Sequence, residues 1–448
     1  MSTQKTADQT REGVSPARST GSGTATSLAG FPLLDAIAGR RARRFGLGME
    51  IPSGPLAYTS SSEPVPLSEL ERSILVAAAT GVTGWTFGVP FGPDRPDEHA
   101  NYTQRYTGRT APTAAGIGTP ALFATDDSGT YLTNTRDRRP DRVREIDGSP
   151  DRALDRLVDD CRAHTVQLSD RRIDLPAEPP HMLEPNLWMA NTTGATLFMP
   201  VGDASEQVLG LMAMALANGN VLVDDTAGRP AGDPAPFIRS GLLQEDKRVP
   251  LSVLQQMAYE GNVAELAFMG HNIVLTMQAM GLGGLYLNGL NRWSVFGAFA
   301  DNGVEGLGFR FVRDDRWTLP NPVGLDGHFE GLCPPYVSDM REAVHIFVER
   351  KFGAGGAYDP RTSGPWKETT AMKQGMTPYS EEFIDCLVDV AQYVYDTYGR
   401  FPNTFTTMVL SGFVQAVHID TDFYDTHYQP GAYLDTHAHH MEDWHGDD

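Results

Sequence analysis

Four arginines stand within five residues near the start of the chain, at positions 40, 41, 43 and 44. The sequence as a whole is acidic, with a formal net charge of -21. A guanidinium group matches phosphate oxygens with two parallel hydrogen bonds, so Arg40, Arg41 and Arg43 could form a phosphate clamp. The alternative is a solvated helix end, where the helix dipole favours cations. The residues alone leave both interpretations open.

A second concentration of reactive groups lies near the end of the sequence. Six histidines and several aspartates lie between positions 418 and 445, among them His418, Asp420, Asp422, Asp425, His427, His437, His439, His440 and His445. Imidazole and carboxylate are ligands of zinc and non-haem iron. A helix over 435–444 would place His437 and His440 on one face. No HExxH or other motif of fixed spacing is present, so we favour histidines that cap, hydrogen-bond or contact a partner subunit, and assign no metal ligand.

Two further stretches could bring backbone close to a ligand. In residues 108–131, Pro112 leads into the small residues Thr113 and Ala114, and then into a strand; an ordinary tight loop has the same composition. In residues 265–291, apolar residues at helical spacing end at Gly281, which is predicted to be a left-handed cap. The strand that follows stops at Asn288-Gly289, where a flat ligand could lie against main chain.

Taken in order, these stretches resemble the nitroreductase superfamily. The matching features are the arginine cluster, the P-T-A-A-G loop, the G-L-G-G turn with its strand, and PNPVGLDGHFEGLCPPY, which together cover about residues 40–336. The loop is most similar to the branch of dehydrogenases that oxidise azoline rings. Ala42 departs from the family pattern, which has Ser there, and glycines replace an Asn of the simpler nitroreductases.

The resemblance implies an α+β fold, with a mostly antiparallel central sheet flanked by helices, in an intertwined homodimer that binds FMN between its subunits. It implies that Arg40, Arg41 and Arg43 hold the phosphate, and that Pro112, Thr113 and Ala114 line the flavin ring. It places Leu287, Asn288 and Gly289 near N5, through which hydride passes to or from a small-molecule or peptide-derived substrate. No catalytic side chain is identified, and His271 is interpreted as a core residue.

Composition sets the remaining expectations. The -21 charge argues against nucleic acid or an anionic membrane as a partner. Three separated cysteines and the lack of a long apolar stretch favour a cytoplasmic protein. We expect a disordered segment over 1–28, a nitroreductase-like domain over 29–375, and a C-terminal helix and extension over 376–448. Two alternatives to the flavoenzyme are open: a flavin-free structural or partner-binding protein, and a metal-binding protein that uses the C-terminal cluster.

Overall fold

The computed structural model describes residues 28, 30–91, 105–113, 116–144 and 150–446. The predicted disordered segment, apart from Leu28, and the predicted flavin contact Ala114 lie outside these residues. The strands described are β1 Glu50–Ile51, β2 Tyr58–Thr59, β3 Val82–Trp85, β4 Thr107–Arg109, β5 Pro120–Asp126, β6 Gly129–Thr133, β7 Thr165–Ser169, β8 Thr196–Asp203, β9 Asn220–Asp224, β10 Arg229–Pro230, β11 Gln244–Pro250, β12 Gly283–Leu287, β13 Arg310–Val312, β14 Asn321–Leu325, β15 Phe329–Glu330, β16 Met408–Val409 and β17 Phe413–Val417. The α-helices described are α1 Leu33–Gly39, α2 Glu69–Thr80, α3 Pro150–Ala163, α4 Ala204–Ala217, α5 Ala235–Arg239, α6 Leu251–Met280, α7 Arg292–Phe296, α8 Met340–Phe352, α9 Thr369–Gln374, α10 Glu381–Tyr398, α11 Thr421–His427 and α12 Asp435–His445.

The central sheet has the strand order β12-β17-β8-β5-β6-β7, and β16 adds a short second pairing to β8. Every one of these pairs is antiparallel. Residues of β5 alternate between two apolar clusters: Leu122 and Ala124 pack with α2 and α6, whereas Ala121 and Phe123 face the opposite side of the sheet. This two-residue alternation follows from the pleat of a strand that is covered on both faces. The predicted α+β class with an antiparallel sheet is confirmed.

Helix α6 is the longest element and packs on the sheet along its length. The apolar spacing predicts a helix from residue 265 onwards, but the structure shows a helix that already begins at Leu251 and continues across Gly261. The next residue, Asn262, is buried and donates hydrogen bonds to Thr119 Oγ1 and Gln207 Oε1. A Cβ added at Gly202 of β8 would lie 1.9 Å from Asn262 Oδ1. This close packing outweighs the cost of about 1 kcal/mol that a glycine carries inside a helix.

The C-terminal segment belongs to the core of the fold. Strand β17 lies between β12 and β8, with all five of its residues buried. Helix α12 then packs against the end of α6, where a Cβ at Gly281 would lie 2.0 Å from the carbonyl oxygen of Thr436. None of the described helices is both long enough and apolar enough to cross a membrane.

Gly281 offers a test of how tightly α12 is held. Its φ of +83° confirms the predicted left-handed cap of α6, and Gly303 has nearly the same φ, +85°, with open space around its missing side chain. We expect Gly303→Ala to cost only the left-handed conformation, about 1–2 kcal/mol. Gly281→Ala adds a clash with the backbone of α12 and should cost more. Urea denaturation of both variants checks this, and equal losses would show that α12 moves freely away from α6.

Candidate functional site

Three of the four arginines in the N-terminal cluster face one cavity of about 440 Å³. Arg40, Arg41 and Arg44 are exposed and contribute to its wall. Other lining residues come from α6 and β12 and their surroundings: Ala42, Ala267, Phe268, His271, Val274, Gly284, Leu285 and Tyr286. We call this space the arginine cavity. The interpretation of His271 as a core residue is wrong, because it lies on an exposed face of α6.

Arg43 has a different environment from its neighbours. Its side chain is 2% exposed, and its guanidinium donates to Ala432 O at 2.9 Å, to Gln278 Oε1 at 2.8 Å and to Gly39 O at 3.2 Å. Its own carbonyl oxygen accepts a hydrogen bond from Gly284 N at 2.6 Å. Burial lowers the pKa of Arg43, partly offset by Tyr424 nearby. Arg43 therefore fixes the segment in place, and the surrounding arginines provide the exposed charge.

The arginine cavity is electropositive, and no acidic side chain in its lining offsets the charge of the arginines. Arg41 Nη1 donates to the carbonyl oxygens of Ala38 and Arg40, at 3.1 and 2.8 Å, and the residue is exposed. An uncompensated group of guanidiniums in a strongly acidic chain attracts an anion from solution.

An aromatic surface lies beside the arginines. Phe268 on α6 and Tyr286 on β12 are 44% and 41% exposed. A Cβ at Gly270 would lie 2.7 Å from the Tyr286 ring, and one at Gly412 would lie 2.2 Å from its hydroxyl. The two glycines thus let this ring pack against bare backbone. Positive charge next to exposed rings suits a ligand with one anionic end and one flat apolar part.

The other residues predicted to contact flavin lie elsewhere in the single chain. Pro112 and Thr113 line a separate small cavity with Arg109, Glu265 and Met269, and Thr113 Oγ1 donates to Glu265 Oε1. Glu265 and Met269 are buried, whereas Phe268 and His271 are exposed and line the arginine cavity.

The predicted N5 contacts are also separated from the arginine cavity. Leu287 is buried in the core on the far side of the sheet, and Asn288 is exposed. Gly289 O accepts from Leu183 N at 2.9 Å, and a Cβ at Gly289 would lie 1.7 Å from Asn186 Nδ2. Of the predicted site residues that the structure describes, Arg40 and Arg41 line the arginine cavity, and Pro112 and Thr113 line the separate small cavity. Their role in binding a cofactor stays a prediction.

A second cavity, of about 330 Å³, is lined by six basic and three acidic side chains, and several of these charges are paired. Glu206 pairs with Arg105 at 2.9 Å and with Arg350 at 2.8 Å. Arg136 pairs with Asp137 at 2.8 Å and with the buried Asp203 at 3.2 Å. Three of its arginines are thus paired with carboxylates, whereas no carboxylate lines the arginine cavity, which is therefore the stronger candidate for an anion.

Lys351 lies at the edge of this second cavity in a buried position. Its Nζ donates to Tyr379 Oη at 2.9 Å and lies 5.3 Å from the centre of the Tyr358 ring. Burial lowers the pKa of Lys351 to about 7. The lysine is thus near the point of losing its charge at neutral pH.

The C-terminal histidines form a cluster that the sequence did not reveal. His418, His440 and His445 converge on the buried carboxylate of Glu71, in the first turn of α2. Burial acts to raise the pKa of Glu71, but the three imidazoles outweigh it and hold the pKa far below its usual range. The capping box of Ser68 and Glu71 is readable from sequence and is present. The capping box already explains a glutamate at position 71. No neighbouring residue indicated that Glu71 would also contact three histidines.

Comparison with known proteins gives little beyond this geometry. No protein-family model matches the sequence, and no curated protein sequence matches it. Among solved structures, the chain is similar to a crystal structure described as "a putative nitroreductase" from Ralstonia eutropha JMP134, at 13% sequence identity. The alignment covers 62% of this chain and 75% of that chain, with a TM-score of 0.27. At that TM-score the similarity carries no argument about function.

Replacing Arg43 should destabilise the protein, in contrast to its exposed neighbour. Arg43→Ala leaves the buried Gln278 Oε1 and Ala432 O without their donor, and each unsatisfied buried group costs about 1–3 kcal/mol. We expect a loss of roughly 2–4 kcal/mol in the free energy of unfolding. Arg40→Ala should stay within about 0.5 kcal/mol of the wild type. Urea denaturation of both variants decides the matter, and equal stabilities would contradict a structural role for Arg43.

The buried lysine predicts a pH dependence of stability. Above pH 7 the folded Lys351 loses its proton, whereas in the unfolded chain a lysine keeps it up to about pH 10.4. The unfolded state then binds more protons, so stability should rise with pH between about 7 and 10, by at most about 5 kcal/mol. Lys351→Met should lack this rise. The quantity to measure is the difference in unfolding free energy between wild type and variant at pH 7 and pH 10; a constant difference would contradict the lowered pKa.

Proposed function

We propose that this chain is an FMN-dependent oxidoreductase that holds the FMN phosphate in the arginine cavity. The observation that carries the proposal is the set of exposed guanidiniums of Arg40, Arg41 and Arg44 on a single cavity without a carboxylate. In a chain with a net charge of -21, a cavity lined by three arginines and no carboxylate is a candidate binding site for an anion. The order of motifs in the sequence, which resembles nitroreductases, suggests which anion that is.

The cavity residues fit FMN in charge and in shape. The arginines match a phosphate monoester, and the exposed faces of Phe268 and Tyr286 offer apolar contact for a planar ring. The cavity of about 440 Å³ is within the usual 300–1,000 Å³ of small-molecule sites. When bound, FMN supplies hydride transfer through N5, and the protein contributes binding, orientation and exclusion of water. The substrate is a small or peptide-derived molecule that would contact the exposed side of the same cavity.

A homodimer would complete this site. Exposed apolar side chains lie on α1 and α6, and Phe268 among them lines the cavity: Leu33, Leu34, Ile37, Val253, Met257 and Phe268. Monomeric proteins rarely leave such a group of large apolar residues in water. We therefore infer that a second copy of the chain covers them. A copy placed there would also bring additional residues to the arginine cavity.

The flavin-free alternative has one observation in its favour. The predicted ring and N5 contacts, Pro112, Thr113 and Leu287–Gly289, do not reach the arginine cavity within one chain. If no partner subunit supplies equivalent contacts, the cavity would bind a different anion, and the protein would be a partner-binding scaffold.

A measurement of FMN binding tests both the flavoenzyme proposal and the flavin-free alternative. We expect the purified protein to carry FMN or to take it up, which quenches or shifts the flavin fluorescence during titration. Reversing two charges, in Arg40→Glu/Arg44→Glu, should weaken FMN binding at least about tenfold, because charge-assisted hydrogen bonds contribute about 1.5–3 kcal/mol each. Arg310→Glu/Arg313→Glu, at an exposed strand outside the cavity, makes the same change in net charge and should leave the affinity unchanged.

The outcomes separate the proposals. Equal affinity in the wild type and in Arg40→Glu/Arg44→Glu would move the FMN site away from the arginine cavity. A wild-type protein that neither carries FMN nor takes it up would favour the flavin-free scaffold. If FMN binds, oxidation of NADH or NADPH in the presence of a quinone would test the oxidoreductase activity itself.

A further inference from the structure

Four side chains from three distant parts of the sequence meet at one buried point. Glu71 belongs to the first turn of α2, His418 directly follows β17, and His440 and His445 lie on α12. From the Glu71 carboxylate, the Nε2 atoms of these histidines lie at 3.0, 2.8 and 3.4 Å respectively. One candidate ligand atom from each of the four residues lies within 4.8 Å of the other three. The side chains of Glu71, His418 and His440 are at most 3% exposed.

Hydrogen bonds on the far side of two rings define their protonation. His418 Nδ1 lies 2.9 Å from Val65 O, and His440 Nδ1 lies 2.7 Å from Met280 O. A carbonyl oxygen can only accept, so each Nδ1 must carry the proton that it donates. In a neutral imidazole, Nε2 is then a bare lone pair. Both lone pairs point towards the carboxylate oxygens of Glu71, which are also acceptors.

A positive charge between the rings and the carboxylate would satisfy these facing acceptors. The Nε2 atom of His440 lies 2.8 Å from Glu71 Oε1 without the geometry of a hydrogen bond. A single divalent cation satisfies the carboxylate and the lone pairs together.

We propose that Glu71, His418, His440 and His445 bind one divalent transition-metal ion, with Zn²⁺ as the expected occupant. Three imidazole nitrogens and one carboxylate oxygen are typical zinc ligands, with bonds of about 2.0–2.2 Å. Bonds of that length in a tetrahedron separate the ligand atoms by roughly 3.3–3.6 Å. The histidine nitrogens lie 2.8–3.4 Å from the Glu71 carboxylate, and all four ligand atoms lie within 4.8 Å of one another. The carbonyls of Val65 and Met280 orient two of the rings, as outer-shell acceptors do in metal centres.

The site has the character of a structural metal centre. Four protein ligands fill a tetrahedral shell and leave no position for a substrate. The ion would connect the start of α2, the end of β17 and helix α12. Glu71 serves both purposes, because its Oε2 accepts from Ser68 N at 2.6 Å in the capping box while its Oε1 faces His418 and His440. The metal thus holds the C-terminal helix on the body of the protein, a role that does not depend on flavin.

Metal binding is tested on untagged full-length protein, stripped with a chelator and then titrated with Zn²⁺ against a chromophoric competitor. We expect one Zn²⁺ per chain. Loss of outer-shell partners already weakens metal sites by about 10–100-fold, so His440→Gln and Glu71→Gln should each weaken Zn²⁺ binding at least tenfold. Gln at position 71 retains an oxygen for the capping box. His439→Gln is the matched control, because His439 is exposed on the same helix and should retain full affinity.

Two further readouts cover the case in which a variant folds poorly. Co²⁺ added to the metal-free wild type should give the intense visible bands of a tetrahedral ion, and weak octahedral bands would overturn the closed four-ligand site. Zn²⁺ should slow proteolytic removal of the C-terminal helix in the wild type and in His439→Gln. A wild type that fails to bind Zn²⁺, or a His439→Gln variant that loses Zn²⁺ as His440→Gln does, would overturn the proposal.

Discussion

The arrangement around the arginine cavity depends on the hydrogen bonds that the guanidinium of Arg43 donates. It binds three neutral acceptors from separate parts of the chain: Gly39 at the end of α1, Gln278 on α6 and Ala432 in the C-terminal segment. Removing a buried cation from water is tolerated only when its donors are satisfied in this way. With Arg43 fixed, Arg40 and Arg44 are exposed in the wall of the arginine cavity, where water or an anion solvates them. The same cluster therefore supplies both the anchor and the exposed charge.

Local signals in the sequence predict a good part of the fold. The apolar spacing of α6, the left-handed cap at Gly281 and the capping box of Ser68 and Glu71 each depend on residues within a few positions of one another. The antiparallel character of the sheet was implied by resemblance and is present. The position of β17 in the centre of the sheet is not local information, because its partners β12 and β8 lie more than a hundred residues away. The course of α6 through Gly261 is not local information either. Glycine is a weak helix former, and the contacts of the neighbouring Asn262 are tertiary contacts with Thr119 and Gln207.

The candidate sites show the same limit. The sequence shows four arginines, but it cannot tell which one turns inward, since that depends on acceptors from Gln278 and Ala432. In the C-terminal cluster, the spacing predicted that His437 and His440 share one face of a helix, and both are buried on α12. The cluster around Glu71, however, brings His440 together with His445 and with His418, which is not on this helix. A ligand set assembled across nearly the whole chain leaves no pattern of fixed spacing.

The last turn of α6 links the two regions. Carbonyl groups at a helix end lack partners within the helix. Here the C-terminal segment provides them: Thr436 Oγ1 donates to Gln278 O at 2.9 Å, and His440 Nδ1 lies 2.7 Å from Met280 O. Gln278 also accepts from Arg43 through its side chain, and His440 is a proposed metal ligand. Since these contacts lie within three residues of α6, a cation at Glu71 would order the same turn that positions Arg43, and through it the arginines of the cavity.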